Sequence, residues 1–183
     1  LGVDPGDKDI MDGPPRNPRD SMFSHGGLAF MIVFGTVIGF VTLTAFLYTP
    51  IQMLLDADMS VTLDNIISML KDEAVLMHAQ TYAFTTLAVT QLFNAIGVRN
   101  FHRSIFRMNH FNNKMMIVAV LAGFMMQVAV TEIPFLTNVF GTVELTLNEW
   151  AILTGLATTP LWIHEMMVLG QVLRKKIYNK EHN

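Results

Sequence analysis

The sequence contains no cysteine, and it has few charged residues. Without cysteine the chain forms no disulfide, holds no thiolate-bound metal and has no thiol nucleophile. Asp, Glu, Lys and Arg make up 15% of its 183 residues, whereas hydrophobic residues make up 51%. Because soluble domains carry about 25% charged residues, this composition indicates an integral membrane protein.

The sequence also lacks the motifs of known catalytic centres. It has no phosphate-binding loop, no nucleophilic triad and no cluster of metal ligands. Two histidines at matching depth would be needed to bind haem, but His78 falls at the outer end of its predicted helix and His164 near the inner end of another. We therefore expect no catalytic residue, no cofactor site and no nucleic-acid partner in this chain.

Four apolar segments are long enough to cross a bilayer, which needs about 20 helical residues for ~30 Å of hydrocarbon. The fold class is therefore predicted as an all-α membrane protein with four transmembrane helices. Residues 1–25 are rich in proline and charge and are interpreted as a cytoplasmic loop. Residues 26–183 are interpreted as the bundle with a basic C-terminal tail, and Pro160 is expected to bend its last helix. The predicted spans are 27–48, 80–98, 115–133 and 150–172.

The basic residues predict how the chain is oriented. Residues 99–114 include three arginines and Lys114 without an acid, and a further basic cluster follows residue 172. By contrast, residues 49–79 contain five acids and only Lys71, and residues 135–149 have no basic residue. By the positive-inside rule both termini are cytoplasmic. Within the first outer loop, four residues at helical spacing predict a short amphipathic helix. These are Leu63, Ile66, Ile67 and Leu70.

The second span has polar side chains along one stripe, at 100° per residue. Thr86, Thr90 and Asn94 form the stripe, and Gln91 lies at its border. Such groups indicate either an ion site or ordinary hydrogen bonding between helices. For the threonines and the asparagine hydrogen bonding is favoured, whereas for Gln91 both interpretations stay open. The opposite side is expected to face lipid. It comprises Phe84, Ala88, Leu92 and Ala95.

Small and ionisable residues in the other spans predict helix contacts. Gly35 and Gly39 form a small-xxx-small pair, which lets a neighbouring backbone approach, although glycine is also common in membrane helices generally. In the third span, Ala119, Ala122 and Gly123 are available for close contact and Gln127 is an interior polar group. Glu165 is interpreted as pairing with Arg174 or a loop arginine, with a functional role as the alternative.

Several motifs together resemble the calcium-transporting members of the P-type cation pumps. They are Leu1-Gly-Val-Asp-Pro, Asp9-Ile-Met-Asp-Gly-Pro-Pro-Arg16-Asn-Pro-Arg19, Gln91-Leu-Phe-Asn94-Ala-Ile, Arg103-Ser-Ile-Phe106, Phe140-Gly-Thr-Val and Trp150. The resemblance implies a fragment containing the seventh to tenth helices and the preceding loop. It also implies a parent that uses ATP and Mg²⁺ to transport Ca²⁺ through an aspartyl phosphate.

The resemblance also implies roles for individual residues. One ion-ligand position of the family falls on Gln91, with Asn94 supporting it rather than binding the ion. Reticulum-type calcium pumps carry Glu at this position and bind two ions, whereas plasma-membrane-type pumps carry Gln. The resemblance therefore implies the plasma membrane as the location, and a second calcium site is not expected. Gly35 and Gly39 are implied to pack against the missing fifth helix. Four residues of the opening loop are implied to couple the helices to the phosphorylation domain: Asp9, Asp12, Arg16 and Arg19.

The implied partners are the remaining helices of the pump, its phosphorylation domain and the lipid bilayer. An alternative of another class stays open, namely a free-standing four-helix membrane protein that anchors or binds a partner without catalysis.

Overall fold

The computed structural model describes residues 27–97 and 113–181, apart from the side chains of residues 171 and 174–181. In these ranges the chain is helical and has no strand, which confirms the predicted all-α class. The helices are α1 (Gly27–Asp56), α2 (Leu63–Met69), α3 (Glu73–Gly97), α4 (Lys114–Glu132), α5 (Pro134–Phe140), α6 (Leu147–Ala157) and α7 (Thr159–Glu181).

The first helix is longer than the predicted span 27–48. It continues through Pro50 to Asp56, although proline lacks the N–H that an interior helical residue donates. Pro50 and Leu54 are both fully buried. Because these two side chains pack inside the protein, tertiary contacts support the helix beyond the point where the local sequence predicts a loop.

The predicted short amphipathic helix is present as α2, which packs against α1. Its first turn is capped by Thr62, whose hydroxyl accepts a hydrogen bond from the Asn65 backbone N–H at 3.3 Å. Ile66 faces the protein, while Leu63 and Ile67 are exposed. The exposed residues lie on the side of α2 that is free to meet lipid.

Among the described helices, three stretches are long and apolar enough to cross a membrane: Gly27–Asp56, Lys114–Glu132 and Leu147–Gly170. The last stretch is interrupted where α6 ends at Ala157 and α7 begins at Thr159, next to the bend expected at Pro160. The helix α3 has 25 residues but is not among the three, because its threonines and amides lower its hydropathy. The number of crossings and the orientation of the termini stay predictions.

The third helix lies at the centre of the fold. It packs against α1, α4, α6 and α7. The hydrophobic core consists of Ala45, Tyr82, Leu145 and Leu153. The rings of Tyr48 and Tyr82 stack with centroids 5.8 Å apart, which sets the register between α1 and α3.

A single carboxylate joins the beginning of α6 to α3. One oxygen of Glu149, Oε1, accepts hydrogen bonds from the Tyr82 hydroxyl at 2.7 Å and from His78 Nε2 at 3.0 Å. The other, Oε2, accepts the backbone N–H of Thr146 at 2.6 Å and completes a capping box. Because a carboxylate only accepts, Nε2 of His78 carries hydrogen. We refer to Glu149, Tyr82 and His78 as the Glu149 clasp.

The connection between α4 and α6 is fastened at the same end of the bundle. Gly141 ends α5 with φ of 64°, a left-handed conformation that glycine adopts without strain. The turn places the Thr142 hydroxyl 2.6 Å from the Val130 carbonyl, to which it donates. Next along the chain, the Val143 N–H donates to the hydroxyl of Thr81 at 3.1 Å. The connection therefore bonds to both α3 and α4.

We expect the Glu149 clasp to contribute measurably to stability. Tyr82→Phe removes one hydrogen bond to a carboxylate and should lower the free energy of unfolding by about 1–2 kcal/mol. Glu149→Ala should lower it further, because it also removes the helix cap. The measurement is unfolding of the chain in mixed micelles with increasing SDS. Glu144→Gln, at an exposed position, is the control, and equal stability of all three variants would contradict the clasp.

Candidate functional site

The polar side chains of α3 point in different directions. Thr85 faces α4, and Thr86 and Thr90 are completely enclosed, each with 0% exposure. Gln91 is exposed, while Asn94 is half-buried. The single stripe predicted from the sequence is thus divided between the interior of the bundle and its outer surface.

A buried hydrogen bond joins α3 to α4. Gln127 Nε2 donates to the Thr85 hydroxyl at 3.0 Å, and Gln127 is only 5% exposed. Gln127 is therefore an interior polar group, as expected. Its role is that of an interhelical hydrogen bond, the ordinary use of an amide inside a membrane bundle.

The two predicted site residues, Gln91 and Asn94, are three positions apart and lie on neighbouring parts of the α3 surface. Each amide offers one neutral oxygen, the type of ligand that Ca²⁺ accepts from proteins. In the described ranges no group of three or more His, Asp or Glu side chains is arranged to hold a metal ion. Within the part of the chain that the structure describes, the pair can therefore supply only part of a cation site.

The surface predicted to face lipid is only partly correct. Phe84 is 40% exposed and Ala95 is also exposed. Leu92, however, packs against Gly123 of α4, where a Cβ atom would lie 2.7 Å from the leucine Cδ2. The close contact expected at Gly123 is thus present, and its partner is a residue that the helical periodicity had assigned to lipid. Ala119 and Ala122, expected to make close contacts as well, are exposed.

The predicted packing pair on α1 is open. Gly35 and Gly39 are exposed, and a Cβ added at either position would meet nothing within 4 Å. The buried positions of α1, including Phe34, Val41 and Ala45, pack inside the bundle instead. The small-xxx-small surface is therefore available to a helix from outside the described residues.

Other predicted residues fall outside the described structure. The coupling residues lie in the opening segment that is not described: Asp9, Asp12, Arg16 and Arg19. The side chain of Arg174, a predicted partner of Glu165, is not described either. Glu165 Oε1 lies 3.9 Å from Nδ1 of His164, the preceding residue. The predicted pairing of Glu165 with an arginine stays a prediction.

The Glu149 clasp was not predicted from the sequence. One signal was available, since Thr146 and Glu149 have the spacing of a capping box ahead of an apolar run. The pairing with His78 and Tyr82 had no local signal, because 71 and 67 residues separate these partners from Glu149.

Comparisons with known proteins identify what the chain is similar to. A family model described as "Cation transporting ATPase, C-terminus" matches residues 1–169. "Calcium-transporting ATPase 1" of Bacillus cereus is 38% identical over 171 residues, covering 93% of this chain and 19% of that protein. "Calcium-transporting ATPase" of Bacillus subtilis is 29% identical over 96% of this chain and 17% of its own length.

A human relative gives the same result. "Calcium-transporting ATPase type 2C member 1" of Homo sapiens is 28% identical over 177 residues, which cover 97% of this chain and 17% of the relative. The chain thus spans less than a fifth of the length of each of these three relatives.

Gln127 and Gln91 should respond differently to loss of their amides, because one is buried and the other is exposed. Gln127→Leu leaves the buried Thr85 hydroxyl without its donor and should lower the free energy of unfolding by about 1–3 kcal/mol. Gln91→Leu, at an exposed position, should change it by less than about 0.5 kcal/mol. Unfolding of the chain in mixed micelles compares them. Adding Thr85→Val to Gln127→Leu should cost little more, and a full additional loss would argue against the hydrogen bond.

Proposed function

Because the chain belongs to the family of cation-transporting ATPase C-terminal domains, we propose that it is the membrane-embedded support bundle of an ATP-driven calcium pump. It is a multi-pass integral membrane protein. Calcium is the substrate that the names of its relatives specify. ATP and Mg²⁺ act in parts of the pump outside this chain. Family membership favours this role over that of a free-standing membrane anchor.

The exposure of Gln91 is the observation that carries the proposal. The other polar groups on neighbouring turns, Thr86 and Thr90, are enclosed by this chain, whereas Gln91 is not. An amide that faces hydrocarbon without a partner is unfavourable. Gln91 is therefore suited to face helices of the pump that this chain does not contain.

Gly39 of the open glycine pair lies at the same depth as Gln91, and Gly35 lies about 6 Å deeper. Tyr48 stacks on Tyr82 and fixes the register of the antiparallel helices α1 and α3. Gly39 lies nine residues before Tyr48, and Gln91 lies nine residues after Tyr82, so each is about 13 Å deeper than the stacked pair. A helix packed against Gly35 and Gly39 would therefore cross the membrane at the level of Gln91.

Gln91 contributes one neutral oxygen to the transported ion in this proposal. Since Ca²⁺ takes six to eight oxygen ligands, most of them come from the adjoining helices of the pump. Asn94 is placed one turn further along α3 and supports Gln91 through its own amide. A single neutral oxygen in place of a carboxylate agrees with transport of one calcium ion at this side of the site.

The proposed topology has four crossings with both termini in the cytoplasm and α3 as the second crossing. The charges support it. At the end of the bundle that holds the Glu149 clasp, the described acids Asp56, Asp72 and Glu132 outnumber Lys71, while Lys114 begins α4 at the opposite end. In the same proposal the protein is located in the plasma membrane. The opening loop, residues 1–25, contacts the phosphorylation domain through Asp9, Asp12, Arg16 and Arg19.

Replacement of the exposed amide tests the ion role in the full-length pump. Gln91→Ala should raise the Ca²⁺ concentration for half-maximal activity by roughly five- to tenfold, which corresponds to about 1–1.4 kcal/mol of lost binding free energy. Phosphorylation by ATP at saturating Ca²⁺ should be retained. The matched control is Gln80→Ala, since Gln80 is also exposed and eleven residues bring it back to the same face of α3. An unchanged Ca²⁺ dependence of the Gln91→Ala pump would assign Gln91 a structural role.

Substitution at the glycine pair tests the missing helix. Gly35→Leu should leave the isolated chain as stable as before or slightly more stable, because no atom lies near the new Cβ and leucine favours helix over glycine by up to ~1 kcal/mol. In the full-length pump it should clash with the packed helix and lower the folded yield and transport. Ala29→Leu is the control, exposed on α1 and about 120° away around the helix. Normal assembly of the Gly35→Leu pump would reject the packing proposal.

A further inference from the structure

The interior of the bundle contains polar atoms that the protein itself does not pair. Among the described residues, six buried side-chain nitrogen and oxygen atoms have no hydrogen-bond partner. They belong to three of the helices, α1, α3 and α7. The residues are Thr42, Thr49, Thr86, Thr90 and His164.

His164 is the most informative of these residues. It is 2% exposed, and neither Nδ1 nor Nε2 has a hydrogen-bond partner. The carboxylate of Glu165 is 3.9 Å from Nδ1, which is beyond hydrogen-bond distance. A neutral imidazole has one donor and one acceptor nitrogen. Since burial without partners is unfavourable for both, His164 indicates that something polar shares its surroundings.

The enclosed threonines cannot be interpreted in the same way on their own. A threonine in a helix can turn its hydroxyl toward the carbonyl four residues earlier, as Thr44 and Thr81 do at 2.9 Å. In Thr42, Thr86 and Thr90 the hydroxyl does not do so. An imidazole does not form such a bond within its own helix. The unpaired nitrogens of His164 therefore indicate a binding site, whereas an unpaired threonine hydroxyl alone reflects only its rotamer.

The register of the helices brings these residues to one depth. From the stacked pair Tyr48 and Tyr82, Thr42 lies six residues deeper in α1, or about 9 Å. Thr86 and Thr90 lie four and eight residues deeper in α3, or about 6 and 12 Å. The three hydroxyls therefore occupy one layer of the bundle.

His164 lies next to the deepest of these hydroxyls, that of Thr90. The helices α6 and α7 run parallel to α3. The hydrogen bond between Glu149 and His78 places these two residues at the same depth in the bundle. His164 is fifteen residues beyond Glu149, and fifteen residues beyond His78 is position 93, about one turn past Thr90. His164 therefore begins about 5 Å deeper than Thr90, and its longer side chain leans back along α7 toward the level of Thr90. His164 also belongs to the buried face of α6 and α7, and α7 packs on both α1 and α3.

We propose that Thr90 and His164 share a buried water between α3 and α7, and that the unpaired hydroxyls of Thr42 and Thr86 bind further water on the side of this site nearer the Glu149 clasp. Water both donates and accepts, so it satisfies either nitrogen of a neutral imidazole and each hydroxyl, and such a buried water typically has two to four polar partners. A helix from elsewhere cannot serve instead, because Thr86, Thr90 and His164 are already enclosed and the hydroxyl oxygen of Thr42 is itself buried. The proposal depends only on the bundle itself and is independent of calcium transport.

Transfer of magnetisation from water to histidine tests the site directly. The 183-residue chain is labelled with ¹⁵N-histidine, reconstituted in lipid bilayers and examined by solid-state NMR. The His164 signal is identified by its loss in His164→Phe. We expect transfer from water to His164, reduced at least twofold by Thr90→Val. His78, whose side chain is 33% exposed, is the positive control, and transfer to His78 but not to His164 would overturn the proposal.

A double-mutant cycle tests whether Thr90 and His164 share the water. Thr90→Val should lower the melting temperature by roughly 2–4 °C, and by less than half as much when His164→Phe is already present. The control is Thr131→Val, which removes a buried hydroxyl bonded to the Gln127 and Val128 carbonyls. Its effect should be equal in both backgrounds. If Thr90→Val also has equal effects in both, the threonine acts alone and the shared site is rejected.

Discussion

Polar groups inside a bilayer need partners, and this requirement determines how α3 packs. Its side chains form hydrogen bonds with two of its neighbours. Tyr82 pairs with Glu149 at the start of α6, and Thr85 with Gln127 of α4. An apolar α3 would have no such specific partners, since lipid solvates hydrocarbon as well as another helix does. The low hydropathy that separates α3 from the three apolar stretches is thus the property that makes it the centre of the fold.

The strongest pairing lies at one end of the bundle, where the helices meet shorter segments. There Glu149 combines a helix cap with bonds to His78 and Tyr82, and Glu132 Oε1 accepts the indole N–H of Trp150 at 3.2 Å. Hydrogen bonds to carboxylates are stronger than those between neutral groups. Toward the middle of the bundle the contacts are weaker. There the neutral amide of Gln127 donates to the Thr85 hydroxyl, and Leu92 packs against Gly123. The described structure is therefore most firmly tied at the clasp end.

The sequence predicts the helices well, because length, composition and helical period are local properties. It places α4 within one residue at each end and predicts α2, whereas the polar stripe that it predicts on α3 is divided between enclosed and exposed residues. It does not predict that α1 continues past Pro50, since that depends on burial of Pro50 and Leu54 by other helices. The sequence also cannot decide which of two adjacent polar residues is buried. Thr90 and Gln91 point 100° apart around the helix axis, and the positions of the neighbouring helices make Thr90 enclosed and Gln91 exposed.

Gln91 of α3 and His164 of α7 each have a polar side chain without a partner among the described residues. Because polar groups in a bilayer need partners, both indicate a missing contact, but of different kinds. The amide of Gln91 is exposed, so a further helix can reach it, and the open glycines of α1, of which Gly39 lies at equal depth, provide a surface for that helix. The imidazole of His164 is enclosed, so only a molecule small enough to lie between packed helices can satisfy it. Exposure thus distinguishes an incomplete protein interface from an internal site. For this reason the pump role and the water site are supported by different residues, and either can fail without the other.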